Sequence, residues 1–187
     1  IDVTSATLSI NTADIEIVDA EGDFSLSEQK GLWDSLQKEQ AVHLLEYVDG
    51  SPVDCGTFYL DDWNSQKSLV KFSMIDLIGV IDKTNFYEGK IYNRERAGTI
   101  IAAIMESCGV RDYFVEDTVA ETLLSGWLGI QSHREALQQV TFACGAVADC
   151  SRSSRIRIYR PDQYVSHTIG LERKFMGSKI SLDEYVS

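Results

Sequence analysis

The sequence has little proline, few basic residues for its length, and no long apolar run. Two prolines in 187 residues leave most of the chain free to form regular structure. No apolar run approaches the ~20 residues that span a bilayer as a helix, so no transmembrane helix is expected. No basic stretch leads into an apolar one near the start, so no secretory leader is read there. The chain opens Ile1-Asp2-Val3 without methionine, and the expectation is a piece of a longer polypeptide. Lysine and arginine number 17 against 29 aspartates and glutamates, a formal charge of −12. Sequence-specific nucleic-acid binders need a dense basic face to displace counterions from phosphates. Neither sequence-specific nucleic acid nor a membrane is an expected partner.

The one local basic run holds Arg152, Arg155, Arg157 and Arg160. Alternation through Arg155-Ile156-Arg157-Ile158-Tyr159 puts those arginines on one strand face. That face reads either as solvated or as a salt-bridge or subunit contact. The four cysteines, Cys55, Cys108, Cys144 and Cys150, make no C-x-x-C pair. The three histidines do not join them at metal-ligand spacing. Cys108 and Cys144 fall on apolar helix faces, where cysteine acts as a small hydrophobe. Cys144 and Cys150 are spaced for a disulfide, but reduced, buried thiols are the expectation.

What is present is a chain of short strands followed by two amphipathic helices. Residues 4–10 read as an opening strand, and Ile15 to Val18 as a second candidate. Residues 24–40 read mainly as loop, with a helical turn around 32–38. Ala41 to Val48 alternates as a strand, and Asp49-Gly50 is a two-residue hairpin signal. Thr57 to Leu60 is the returning strand. Asp61, Asp62, Asn64, Ser65 and Gln66 read as the turn after it. Val70, Phe72 and Met74 then alternate with Lys71 and Ser73 as the next strand. Asp76 is placed to cap a helical turn carrying Leu77, Ile78 and Ile81. Residues 1–82 therefore read as a mostly antiparallel β unit with Greek-key or barrel closure.

Residues 83–93 read as connection, with Asn93 as an N-cap. Ala97, Ile100, Ile101, Ile104, Met105 and Cys108 then form one apolar stripe at helical spacing, and Gly109 suits a left-handed C-terminus. Tyr113 to Val115 reads as a short strand. Leu123 to Ile130 holds Trp127 between Gly126 and Gly129. Ser132 and Glu135 make a capping box. The helix from His133 turns Ala136, Leu137, Val140, Ala143 and Cys144 toward the core, and Gly145 ends it. Ala146 to Ala148 and Arg155 to Tyr159 read as a hairpin. The predicted fold class is α+β: an antiparallel barrel-like unit, 1–82, packed with a smaller helix-plus-hairpin unit, 83–160. Residues 161–187 form an extended tail returning toward the β unit or toward a following domain.

Little in this pattern is suited to bond making or breaking. A nucleophile needs a base within hydrogen-bond reach, and the candidate bases are His43, His133 and His167. His43 alternates within a strand, His133 opens a helix, and no serine or cysteine stands in a nucleophile-elbow or papain-like context. Asp61 and Asp62 are adjacent, and neighbours on a strand point to opposite faces, so they do not converge as glycosidase or metal carboxylates. Gly126 and Gly129 lack the flanking residues of a phosphate loop. Trp33, Trp63 and Trp127 are scattered and read as core or interface anchors. No catalytic, cofactor-binding or metal residue is predicted, and no cofactor.

Three runs carry a family resemblance. They are Gly56-Thr57-Phe58-Tyr59-Leu60-Asp61-Asp62-Trp63, Met74-Ile75-Asp76-Leu77-Ile78-Gly79-Val80-Ile81-Asp82, and Arg134-Glu135-Ala136-Leu137-Gln138-Gln139-Val140 followed by Gly145-Ala146. With the opening Ala6-Thr7-Leu8-Ser9-Ile10, their order resembles that of baseplate-hub or tail-associated proteins from phages and prophages of Gram-positive bacteria. Residues 83–96 and 112–125 match no part of that pattern. The resemblance implies a structural role without catalysis. Copies of the chain, three in the assembly, would form a ring around a channel with other tail and baseplate proteins. An acidic channel would let DNA slide. The location implied is the tail tip of the virion, after assembly in the bacterial cytoplasm. The resemblance also implies a long barrel connection at 24–40, and continuation past residue 187 into a further β domain. A host-surface carbohydrate-binding module built around Trp127, or a cell-wall hydrolase module, are the alternatives.

Overall fold

In a computed structural model, residues 8–20, 23–24, 35–66 and 68–161 are described. Strands β2 (Ala41–Val48) and β3 (Ser51–Gln66) form the predicted hairpin. Asp49 and Gly50 both take positive φ, 50° and 79°, as the tight turn matching strand twist requires. Strand β3 pairs antiparallel with β4 (Leu69–Ile75), and β4 with β1 (Thr12–Val18). The four-stranded order is β1-β4-β3-β2. Strand β1 contains the Ile15–Val18 candidate. Of the other predicted opening strand, residues 4–7 lie outside the described residues, and Leu8 to Ile10 are not strand. Of the 24–40 stretch, Phe24 and 35–40 are described, and no α-helix runs through them.

The turn predicted at Asp61 to Gln66 is strand instead. Trp63 and Ser65 are partly buried while Asp62, Asn64 and Gln66 are exposed, so the polar residues are one face of a period-two strand. Asp61 is the extra residue of a bulge between Leu60 and Asp62, and Cys55 of another opposite Leu44/Leu45. Bulges bend and twist a long strand. The sheet curls into a half-barrel, and closure is not seen: among the described residues β1 and β2 are its open edges.

Asp76 caps α1 (Leu77–Asp82) as predicted, its Oδ1 accepting from the Gly79 amide at 2.9 Å. Its Oδ2 also accepts from the Asn11 amide and side chain, at 2.8 and 2.6 Å. The residue that starts the helix thus also anchors the chain leading into β1.

The predicted connection at 83–93 is replaced by β5 (Asn85–Phe86) and β6 (Lys90–Arg96). Helix α2 (Ala97–Ser107) starts four residues beyond Asn93, with Arg96 at the cap position and no side-chain cap. The orphan amide of Ala97 finds the Thr122 carbonyl at 2.8 Å, so no capping side chain is needed there. The apolar stripe is as read: Ala97, Ile100, Ile101, Ile104 and Met105 are buried, and Gly109 has φ +76°.

Strand β7 (Tyr113–Val115) and the short α3 (Asp117–Ala120) lead to β8 (Leu123–Leu128), the antiparallel partner of β6. Strand β9 (Gln131–Ser132) pairs with β5. Helix α4 (His133–Ala143) begins with the predicted capping box, both of its hydrogen bonds present. Ala143 was expected inside but is exposed, and Thr141 is buried in its place. The Thr141 hydroxyl is satisfied by the Gln138 carbonyl at 3.1 Å, which removes the penalty for burying it. Strands β10 (Val147–Asp149) and β11 (Ile156–Tyr159) form the predicted hairpin, and β11 also runs parallel to β7. Ile78 and Ile81 of α1, the α2 stripe, Leu137 and Val140 of α4, and Ile156 and Ile158 of β11 share one buried cluster. Leu8 joins it, held by Arg134 Nε donating to its carbonyl at 2.7 Å. No helix among the described residues is long and apolar enough to cross a membrane.

Candidate functional site

The titratable groups are mostly committed to the fold. His133 is 2% exposed at the start of α4. Its Nδ1 lies 2.8 Å from Thr84 Oγ1 and its Nε2 2.9 Å from Ser107 Oγ. Sequence reasoning missed the serine, because α2 and α4 meet only in the fold. Ser107 donates to the Ile104 carbonyl at 2.9 Å, while Thr84 reaches the Ile81 carbonyl only at 3.4 Å. The shorter set assigns the ring proton to Nε2, with Thr84 donating to Nδ1. Ser107 then accepts from His133 and gives its proton to the helix, so the pair is not arranged as nucleophile and base. Burial pushes the His133 pKa down, which keeps the ring neutral.

His43 reaches Asp54 Oδ1 at 3.0 Å across β2 and β3, in solvent. The Gly56 amide, and then His43, hold the Asp54 carboxyl below its usual range. Asp61 and Asp62 do not converge: Asp61 sits on its bulge and pairs with Lys83, and Asp62 is exposed. His167 and Trp33 lie outside the described residues. The basic run splits. Arg157 donates to the buried Asp149 at 2.6 Å, and Arg160 to the Cys144 carbonyl at 3.0 Å and Thr122 at 2.9 Å. Arg152 and Arg155 are exposed.

All four cysteines are free, so Cys144 and Cys150 form no disulfide. A small cleft of about 130 Å³ is lined by Asn11, Cys55, Phe58, Asp76, Cys150 and Arg152. Its carboxylate is already spent on Asn11 and Gly79. Burial, and then Asp76, push the Cys150 thiol up to about 12, so it is a poor nucleophile. Among the described residues no three His, Cys, Asp or Glu side chains group to hold a metal.

Among the exposed apolar side chains of the described residues, which include the cross-strand pair Val18 and Leu69, two larger groups stand out. The first is the two-stranded ribbon β6–β8. Ile91 and Trp127 are direct cross-strand partners, yet they are 79% and 72% exposed. Leu123 on β8 is exposed as well, while Tyr92 and Leu128, facing the other way, are buried. The Trp127 ring folds over Gly129, where a Cβ would stand 2.9 Å from it. The second is the end of the β2–β3 hairpin. Every residue from Leu45 to Asp54 is exposed. Leu45 and Tyr47 lie on one face of it, and Val48 and Val53 on the other. Isolated exposed apolar side chains are ordinary, whereas groups of them mark contact surfaces.

No protein-family model and no curated protein matches the chain. A solved structure does: the 43 kDa tail protein of prophage MuSo2 from Shewanella oneidensis, 14% identical with a TM-score of 0.50, over 88% of this chain and 48% of that one. The fold is similar to that of a phage tail protein. A tail protein from Neisseria meningitidis MC58 is 11% identical with a TM-score of 0.49, over 81% of this chain and 46% of that one. This chain therefore spans about half the length of either structure. At such identities the likeness is one of fold, and the surfaces have to be read from this chain's own residues.

Proposed function

We propose that this chain is a structural component of a phage or prophage tail tip, of the baseplate-hub or tail-associated type. It would form part of a multi-subunit ring, a trimer, through contacts with its own copies and with other tail proteins. The observation that carries the reading is a tail-protein-like fold bearing two grouped apolar surfaces in water. Exposed apolar surface of that kind is stabilised by a partner and is a liability without one. The sequence motifs fit the same frame. The Gly56–Trp63 run lies on β3, Met74–Asp82 joins β4 to α1, and Arg134–Val140 lies on α4. The division into 1–82 and 83–160, with 161–187 following, and the Gram-positive origin belong to this proposal through those motifs. The reading needs no catalytic group, cofactor or metal, and it places the mature protein in the virion after cytoplasmic assembly. Particles induced from the strain that encodes the chain, purified and labelled with gold-tagged antibody, test it. Label at the tail tip is expected, and unlabelled particles refute it.

Trp127 supports a second reading, a carbohydrate-binding module that stacks a sugar on the exposed indole. Binding on a host-glycan array, abolished by Trp127→Ala, distinguishes it from the tail role.

A further inference from the structure

The described chain leaves the fold beside the exposed ribbon. Arg160 is its penultimate residue, followed by Pro161. The Arg160 amide donates to Glu116 Oε2 at 2.9 Å, and its guanidinium donates to Thr122 Oγ1 at 2.9 Å. Thr122 directly precedes Leu123, the first residue of β8. Proline holds the residue before it extended, so the backbone departs within one arginine side chain of the start of the ribbon. Alternation along β8 and the pairing of Ile91 with Trp127 put Ile91, Leu123 and Trp127 on one face. All three are more than half exposed, whereas Tyr92 and Leu128 on the opposite face are buried. A two-stranded ribbon is marginal in water until something packs on its apolar faces.

The sequence just past Pro161 suits that uncovered face. Gln163 to Leu171 contains no aspartate, glutamate, lysine or arginine, in a chain that is 25% charged. In an extended conformation Val165, Ile169 and Leu171 would share one side, with His167 between them, and Ser166, Thr168 and Gly170 the other. A segment of that pattern can cover an apolar face and keep its polar side in water. Leu123 to Trp127 is about 13 Å of strand, and Val165 to Leu171 can span about 20 Å. The segment is therefore long enough to cross the whole face.

We propose that residues 163–171 lie across the outer face of the β6–β8 ribbon of their own copy, with Val165, Ile169 and Leu171 over Leu123, Trp127 and Ile91. Attachment a few residues away gives this segment a far higher local concentration than the same segment of a second copy has. The cover sits on a surface and not in the core. It shields the ribbon in the free chain and leaves it open to a partner that displaces the segment. Surface and cover belong to one chain, so the contact stands whether or not the protein is part of a tail.

Photocross-linking tests the contact. The full chain, with p-benzoylphenylalanine in place of Ile169, is mixed with an isotopically labelled copy and irradiated. The expected product is a monomer in which position 169 is joined to residues 90–96 or 123–128. Its linked peptides carry a single isotope, and its yield does not change with protein concentration. Val165→Asp with Leu171→Asp is expected to cut that yield about tenfold, because a carboxylate laid on an apolar face loses its water. Trp127→Ala gives a second loss from the ribbon side. Circular dichroism checks that each variant folds, and the cross-link map of the chain without these changes stands on its own if one does not. Mixed-isotope products would give the face to a second copy and overturn the proposal. Links to other parts of the chain, no link at all, or yields indifferent to these changes would overturn it as well.

Discussion

Replacing Asp76 with alanine should destabilise the fold more than any other single polar change among the described residues. Asp76 is 2% exposed and its two oxygens serve three donors: the Gly79 amide, the Asn11 amide and the Asn11 side chain. Losing a helix N-cap costs about 0.5–2 kcal/mol. Gly79 is buried, so its amide is left with no replacement acceptor. Asn11 is only partly buried, and water can recover part of its loss, leaving about 1–2 kcal/mol there. Together the change should cost about 3 kcal/mol, a large share of the 5–15 kcal/mol typical of a domain. Asp76→Asn is expected to fall between: its oxygen keeps the cap, while its amide opposes the donors of Asn11. Asn11→Ala removes one bond and should cost under about 1 kcal/mol. Urea unfolding followed by far-ultraviolet circular dichroism gives the order. The reasoning fails if Asp76→Ala shifts stability by less than about 1 kcal/mol at unchanged urea dependence.

Ile104 is fully buried on α2, and Ile104→Asp should abolish the cooperative unfolding transition, read by the same dichroism. His133 has a folded pKa depressed by burial. The unfolded chain therefore takes up a proton first as pH falls, so the His133 contribution is complete above about pH 6.5 and is lost below it. The urea midpoint should drop between pH 7.5 and pH 5, and less so in His133→Gln. The thiol of Cys150, pushed up to about 12, should resist iodoacetamide at pH 8 in the folded protein and react once urea is added, as read by peptide mass spectrometry. Gly129→Ala should displace the Trp127 ring that lies 2.9 Å from the added carbon. One fluorotryptophan resonance should shift, with unfolding stability changed by under about 1 kcal/mol because the ring is exposed and free to move.

The features legible in the sequence are those whose cause lies within a few residues. Asp49-Gly50 fixes its own turn, Ser132 and Glu135 satisfy each other, and the α2 stripe needs only helical spacing. Asp76 was readable as a cap for the same reason, but its grip on Asn11 was not, because that partner is 65 residues away. Strand β6 was missed on similar grounds. Its partner β8 begins 27 residues after it ends, and Asn93-Arg94, which looks like a helix start, is a bulge with Arg94 at φ +53°. Asp61 to Gln66 failed differently. Composition suited a turn, and only pairing with β4 shows that the polar residues are the outer face of a continuing strand.

The candidate surfaces were hidden for a third reason, which bears on how they should be tested. A core residue declares itself by periodicity, since its partners lie in the same chain at fixed spacing. Leu45, Tyr47, Val48 and Val53 follow no single face, and Ile91 and Trp127 interrupt otherwise polar or glycine-rich runs. Within one copy these choices cost stability or contribute nothing, so folding alone does not account for them. Gly129 points the same way. It leaves the exposed indole room to lie over the backbone of its own strand end, where a Cβ would stand 2.9 Å from the ring. Substitutions at these positions should therefore separate into two readouts, with unfolding free energy nearly unchanged and association strongly changed. A site whose mutants moved both together would be part of the fold and not a surface kept for a partner.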